Sequence, residues 1–487
     1  MTQTAASPSS TAATSVEDGR LSRGVLNTSD IVFMVMAAAA PMAVVVALMP
    51  MAFAFGNGGG VPGTYLGAIG AMLLFAVGYV RIIPFLPNAG AFYAYIAASI
   101  GRAWGLGAAY IAALSYLALS CSTIAALAFF AEQFYEKTTG GKLHWSLWAF
   151  GSIILTCWLS YYRITLAAKV LGIALIAEVA LILLLDVAIV HQVGLRAFDL
   201  HDFSVDRVIA PGLGIAAIYA FNSMIGVEGT AIYQEEARNR RVTIPRATYI
   251  AVVLVGLFYV FTAWCLTSSA GAADVSAIAR ADPGSFIVLQ SQSYLGKWGA
   301  NAIGLLVITS SFAAVLALFN NSARYLYALG RDGVMPAMLA RTHRTHHSPH
   351  IASFVLTVAL VAVFVVAVLA NLDPLVNVAT ALVGVGSLGL MALLGVTALA
   401  IPVFFAKRRT VSFATTVAPA LGGLVILAAT VLAFANYPAL TGVNSAVINN
   451  LPYALIVIGA VGVLQALWLR KKRPLIYQRI GSTRIEE

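Results

Sequence analysis

The sequence predicts an all-α integral membrane protein that crosses the bilayer twelve times, and three observations predict it. First, 60% of its 487 residues are hydrophobic and only 10% are charged, whereas a soluble domain carries about 25% charged residues to meet water. Mean hydropathy is correspondingly high, +0.89. Second, the apolar residues fall in runs of roughly 20 or more, the length a helix rising 1.5 Å per residue needs to cross a ~30 Å hydrocarbon core. Third, the basic residues gather on one side of the spans that those runs define.

Gauged this way, helices 1 to 6 lie near 30–54, 63–86, 103–131, 145–162, 166–191 and 210–233. Helices 7 to 12 follow near 246–269, 298–323, 351–370, 376–404, 412–436 and 451–470. Helix 3 is long enough to be tilted. With both termini on one face, 22 of the 29 Lys and Arg fall on that face, among them Arg238, Arg240, Arg241, Lys407, Arg408, Arg409 and the tail Arg470-Lys471-Lys472-Arg473. Only Lys137, Lys142, Arg196, Arg207, Arg280 and Lys297 fall opposite, and Lys169 lies within a span. A missed or invented span would scramble that asymmetry. The positive-inside rule makes the basic face cytoplasmic, and a cell inner (plasma) membrane is the expected location. Two longer external segments, 192–208 and 270–297, have room for short helices over the outer mouth.

Several function classes are excluded. The net charge of +10 does not signal nucleic acid, because the basic residues sit in short loops and not along one groove-binding helix. Cys121, Cys157 and Cys265 lie inside apolar runs and read as small hydrophobes, with no disulfide, metal or redox role. No phosphate-binding P-loop and no paired catalytic motif is present, so neither a self-contained ATP-driven pump nor a membrane enzyme is expected, and no cofactor. Residues His343-Arg344-Thr345-His346-His347-Ser348-Pro349-His350 invite a metal reading, but their basic surroundings lack Cys or carboxylate partners. Met1 to Arg23, rich in Ser, Thr and Ala, reads as a disordered tail.

The chemistry concentrates where two helices break. Irregular backbone at membrane depth survives only beside protein or a cavity, since an unpaired backbone group in lipid costs several kcal/mol. In helix 1, Met36-Ala37-Ala38-Ala39-Ala40-Pro41-Met42-Ala43 sets a proline well inside the span; proline removes one ladder bond and clashes with the preceding turn. In helix 6, Phe221-Asn222-Ser223-Met224-Ile225-Gly226-Val227-Glu228-Gly229 brings polar groups, two glycines and a carboxyl to mid-membrane. Breaks at matching places in two halves point to a binding site whose amides hold a carboxylate and whose carbonyls hold an ammonium. Ionisable residues within spans each need a partner or a cavity. Lys169 and Glu178 share helix 5, but nine residues turn about 900°, so they face opposite sides. Lys169 is expected to reach the helix 1 break and the helix 8 hydroxyls Ser310 or Ser311, with snorkelling to the headgroups as its alternative. Asp186, near the outer interface, is expected to snorkel. Tyr110, Tyr116, Ser120 and Cys121 on helix 3 are candidates to line the pathway.

Ile225-Gly226-Val227-Glu228, then Glu235-Glu236-Ala237-Arg238-Asn239 and Ile244-Pro245-Arg246-Ala247-Thr248, resembles helix 6 and the following loop of the amino acid–polyamine–organocation permeases. Asn88 to Tyr95, Ala168-Lys169-Val170-Leu171, and Arg324 to Leu329 with Gly330-Arg331-Asp332-Gly333 agree with the same superfamily. The resemblance covers most of the membrane domain. It implies helices 1–5 and 6–10 as inverted repeats (a LeuT-like core), two further helices, a site between broken helices 1 and 6, and alternating-access transport of an amino acid or related amine. In sodium-independent members a lysine on helix 5 fills a sodium site; Lys169 is similar to it, which implies proton coupling or exchange. Two departures stand out. Ala40-Pro41-Met42-Ala43 replaces a Gly-Ser-Gly type break, and Asn222 falls where many members place an aromatic gate, with Phe221 adjacent.

The expected organisation is a tail over 1–25, a transport core over 26–405, helices 11–12 over 406–473 and a second tail over 474–487. The expected substrate-binding set is Ala40, Pro41, Met42, Ala43, Phe221, Asn222, Ser223, Ile225, Gly226 and Tyr116, with Lys169, Glu228, Ser310 and Ser311 coupling. The expected partners are a small-molecule substrate, protons and the bilayer, with the chain a monomer or homodimer. A nucleobase or carboxylate carrier on the same fold, or a sensor that binds without transporting, are the rival readings.

Overall fold

The computed structural model describes residues 26–86, 92–161, 164–230, 237–343, 348–441 and 445–481. Among them the regular elements are all helical, and the only strand-like pairing is an isolated bridge between Leu26 and Ala237. Among the described residues, ten helices are long and apolar enough to cross a membrane. Two further ones, Trp145–Tyr161 of 17 residues and the short Leu213–Asn222, occupy the fourth and sixth places.

In chain order, helix 1 runs from Thr28 to Phe55 with an interruption at Ala40, and helix 2 covers Gly58–Phe85. Helices 3, 4 and 5 are Arg102–Thr139, Trp145–Tyr161 and Ile164–Val193. Helix 6 is Leu213–Asn222 and helix 7 is Arg240–Ala270. The helical stretch Phe286–Arg331 bends at Gly296 (φ 78°, ψ −172°), and helix 8 is its part beyond that bend. Helices 9 to 12 are His350–Leu369, Pro374–Lys407, Phe413–Ala435 and Tyr453–Lys472.

Burial sorts these helices. Helices 1, 2, 3, 7, 8 and 10 bury more than half of their apolar stretch inside the protein, whereas helices 9, 11 and 12 bury a third or less. The latter turn large apolar side chains outward, such as Phe354, Val431 and Leu464, the arrangement expected where lipid replaces water. Helix 3 is the central strut: it packs on helices 8, 10 and 12. At 38 residues it is about 57 Å long, well beyond the hydrocarbon core, so it tilts or projects. Its approach to helix 10 depends on glycine: a Cβ at Gly386 would stand 2.5 Å from Cγ of Leu119.

Both segments expected on the outer side carry short helices. Leu195–Ala197, Leu200–Phe203 and Val205–Val208 lie between helices 5 and 6, and Val275–Ala281 follows helix 7. Arg280 of the second segment donates twice to the Ala54 carbonyl at the end of helix 1, at 2.7 and 3.0 Å. On the basic face, Tyr93 donates to Asp332 at 2.5 Å, and the Gly481 amide reaches the same carboxyl oxygen at 3.1 Å. The stretch expected as a tail is therefore partly ordered: Pro474–Arg479 is helical and Ile480 is buried. The expected tail over 1–25 and the histidines His346 and His347 lie outside the described residues.

Candidate functional site between two broken helices

The site begins with the backbone of helix 1. Pro41 has no N–H to give to the Ala37 carbonyl, so the ladder must open there. Ala40 takes up the change at φ 44°, ψ 70°, a left-handed conformation that costs an L-residue about 1–2 kcal/mol. Beyond the opening the chain continues as Pro41–Ala43 and then as a π-helical turn, Val44–Leu48. The displaced groups find partners on other helices. The Ala43 amide donates to the Ser310 hydroxyl of helix 8 at 3.3 Å. The Glu178 carboxylate of helix 5 stands against the Met42 amide and the Ser310 hydroxyl and accepts from Thr309 at 3.4 Å. The Ala39 carbonyl accepts from the Tyr259 hydroxyl of helix 7 at 3.0 Å.

Helix 6 opens differently. After Asn222 the bonds tighten: the Met224 amide reaches the Phe221 carbonyl and the Ile225 amide reaches the Asn222 carbonyl, each at 3.0 Å. Gly226 then turns the chain at φ 111°. Glu228 closes the turn on itself, one carboxyl oxygen accepting from the Gly226 amide and the other from the Tyr116 hydroxyl of helix 3, both at 2.8 Å. The Glu228 carbonyl accepts from Tyr79 of helix 2 at 2.9 Å. Ser223 donates to the Tyr219 carbonyl at 2.7 Å and meets the Tyr65 hydroxyl at 3.2 Å. Such a carboxyl, buried in full and satisfied on both oxygens, fixes a shape.

Between the two openings lies a cavity of about 70 Å³, space for about five water molecules. Helix 1 lines it with Ala40, Ala43 and Ala47, helix 6 with Asn222 and Ile225, and helix 8 with Ser311 and Ala314. Helix 3 adds Leu119, Ser122, Thr123 and Ala126, spaced i, i+3, i+4, i+7 so that one face looks inward. Its polar wall is Ser122, Thr123, Asn222 and Ser311, and none of the lining side chains is charged. Asn222 is held by a 2.8 Å bond from Ser387 of helix 10.

The sequence itself matches a protein family along most of its length. The profile of the amino acid permease family fits residues 26–461. The chain belongs to that family. Among curated proteins, it is 26% identical over 281 residues to PlaP, a low-affinity putrescine importer of Escherichia coli (strain K12). It is 23% identical over 300 residues to BcaP, a branched-chain amino acid permease of Bacillus subtilis (strain 168). The aligned stretches cover 57% and 56% of this chain but only 61% and 60% of those two proteins. Among solved structures, MhsT in complex with L-phenylalanine superposes with a TM-score of 0.60 at 15% identity, covering 85% of this chain and 100% of that one. Likeness at that identity shows the fold alone. Family and fold make this a multi-pass membrane protein of the permease class, and not an enzyme.

Within this permease, the expected site residues divide. Ala40, Ala43, Asn222, Ile225 and Ser311 line the cavity. Met42, Ser223, Gly226, Glu228, Tyr116 and Ser310 hold the openings in shape through the bonds above. Pro41 makes the first break, and Phe221 is buried in packing beside the second. Of the two alternatives for the side-chain pocket, the amide of Asn222 is the one that faces the gap. The Lys169 side chain lies outside the described residues, as do Asn88 to Ala91, Glu235 and Glu236. The described helix 5 side chain beside the helix 1 break is Glu178. Tyr110 bonds Gln465 of helix 12, while Ser120 donates within its own helix. Asp186 corrects an expectation: it is buried in full and accepts from Thr262 of helix 7 at 2.7 Å. Ser122, Thr123, Ala314 and Val383 were not anticipated; the i, i+3, i+4, i+7 pattern on helix 3 is the one signal that was there to find.

Proposed function

We propose that this chain is a secondary permease for small neutral amino acids, driven by protons and working by alternating access. The observation that carries the reading is the uncharged cavity between the two helix openings. Backbone carbonyls near Ala40 and backbone and side-chain donors near Asn222 suit a zwitterion. The wall beyond them is Ala, Leu, Val, Ser and Thr. A diamine such as the substrate of PlaP brings two ammonium groups, and the second would be buried against apolar methyls without a counter-charge. A small aliphatic side chain meets no such penalty, and BcaP's branched-chain substrates are nearer in chemistry. The cavity size suits a cargo of about five to eight non-hydrogen atoms.

The coupling group in this proposal is Glu178. As a carboxylate it accepts from the Met42 amide and from Ser310 and Thr309, tying mobile helix 1 to helices 5 and 8. Protonation removes one acceptor and loosens that tie, which links proton binding to the swing of helix 1. Orientation follows the charge asymmetry, with the basic face cytoplasmic in the inner membrane. Helices 1–5 and 6–10 form the two inverted repeats, and helices 11 and 12 complete a set of twelve.

The test is uptake by purified protein in liposomes, with labelled alanine, valine, phenylalanine and putrescine offered under a pH gradient, a sodium gradient or neither. Alanine and valine uptake raised by an inward proton gradient supports the reading. Uptake of putrescine alone, or of no amine or amino acid, defeats it.

A further inference from the structure

Helix 5 carries a second buried carboxyl that the site above does not use. Asp186 is 0% exposed, eight residues beyond Glu178 toward the outer face. One carboxyl oxygen accepts from Thr262, and the other has no hydrogen-bond partner. An unsatisfied buried carboxyl oxygen is costly, and ionisable groups at membrane depth are kept where they serve a path for ions or protons. Among the described residues it takes part in no ion pair. On helix 7 the nearest titratable group is Cys265, within electrostatic reach. The outer half of helix 1, Val44 to Phe55, has no titratable residue, and the outer end of helix 8 has only exposed Lys297. Helix 4 offers Cys157 and Tyr161, and helix 5 itself offers Glu178 and exposed His191.

Two hydroxyls lie along the interval between the carboxyls. Eight residues separate them by about 12 Å along the helix axis, too far for direct transfer. Thr262 bonds Asp186. Tyr259 stands one turn deeper on the same face of helix 7, donates to the Ala39 carbonyl at the helix 1 opening, and lies within electrostatic reach of Glu178. Tyr259 also packs against Tyr65, ring centroids 6.1 Å apart, and Tyr65 meets Ser223 at the helix 6 opening.

We infer that Asp186 is the outer proton-loading residue of the transporter, passing its proton to Glu178 along the helix 5–helix 7 interface. The balance is simple: the Asp186 carboxylic acid becomes carboxylate as the Glu178 carboxylate becomes carboxylic acid. Asp186 is then reset from the outer side. The inference rests on the proton-coupled reading above and names a residue outside the substrate cavity.

The test uses full-length protein in liposomes and two assays, accumulation of labelled alanine on a pH gradient and one-for-one alanine exchange at equal pH. Asp186→Asn is expected to lower accumulation about tenfold or more relative to exchange, within the usual range of coupling energies. Asp186→Glu restores accumulation with a displaced pH profile, and Thr262→Val shifts the pH midpoint of driven uptake. Should Asp186→Asn fail to fold, the Thr262→Val midpoint decides. Accumulation by Asp186→Asn equal to wild type overturns the inference. So does an equal fall of accumulation and exchange, which marks a packing role. Wild-type exchange without any response to pH overturns this inference and leaves the substrate assignment standing, whereas wild-type protein without exchange defeats the functional reading itself.

Discussion

The two openings that frame the cavity are built on opposite plans. At helix 1 the strain sits on an alanine, and the freed amides and carbonyl are taken by Glu178, Ser310 and Tyr259 from three other helices. At helix 6 the turn sits on a glycine, and the freed amide is taken by Glu228 only two residues away. The first opening is held from outside, by side chains of other helices; the second is closed locally and braced by Tyr116 and Tyr79. The alternating-access reading proposed above calls for both kinds, one joint that moves relative to its scaffold and one that keeps its shape while it does.

The largest test of that contrast removes the self-closing group. Glu228→Ala strands the Gly226 amide and the Tyr116 hydroxyl in a fully buried setting, which is expected to cost about 2–5 kcal/mol. A thermal-unfolding series in detergent should show the largest loss of any variant here, with transport abolished. Glu178→Gln keeps an acceptor for Met42 but cannot exchange a proton. Driven uptake is therefore expected to fall about tenfold or more, with exchange reduced less and unfolding temperature little changed. A large loss of stability instead would make helix 1 as rigidly locked as helix 6.

The third test concerns cargo. Asn222→Ala removes the one amide side chain on the cavity wall, and loss of one hydrogen bond of about 1 kcal/mol raises the KM for alanine about fivefold. An unchanged KM would place the cargo away from helix 6. The smallest effects come from the backbone itself. Ala40→Gly relieves left-handed strain and is expected to stabilise by about 0.5–1 kcal/mol, while Gly226→Ala introduces strain of about 1–2 kcal/mol. Opposite signs in paired melting curves confirm the asymmetry; like signs remove it.

Much of this was legible in the sequence. The helix positions follow from apolar run length, and Pro41 and Gly226 mark the two openings because each changes what backbone can do. The rotation of each helix about its own axis was not legible. Helix 5 is apolar nearly all round, so hydropathy does not say which face meets helices 1 and 8, and the facing carboxyl proved to be Glu178. The burial of Asp186 depends on a single hydroxyl, Thr262, supplied from helix 7. The inward face of helix 3 had a readable spacing, but Ser122 and Thr123 are ordinary helix residues until helix 10 packs beside them and Ser122 donates to the Ala379 carbonyl. In lipid both faces of a span are apolar, and the contrast that orients a helix in a soluble protein is missing.

The most direct measurement of where the cargo sits is protection of a thiol placed on the cavity wall. Thr123→Cys in liposomes is reacted with a small membrane-impermeant thiol reagent, with and without ligand. Occupancy between the two openings predicts that alanine or valine slows the reaction in a saturable way and that putrescine does not. Labelling at the same rate with every amino acid, while transport still runs, would contradict a cargo site between helices 1 and 6.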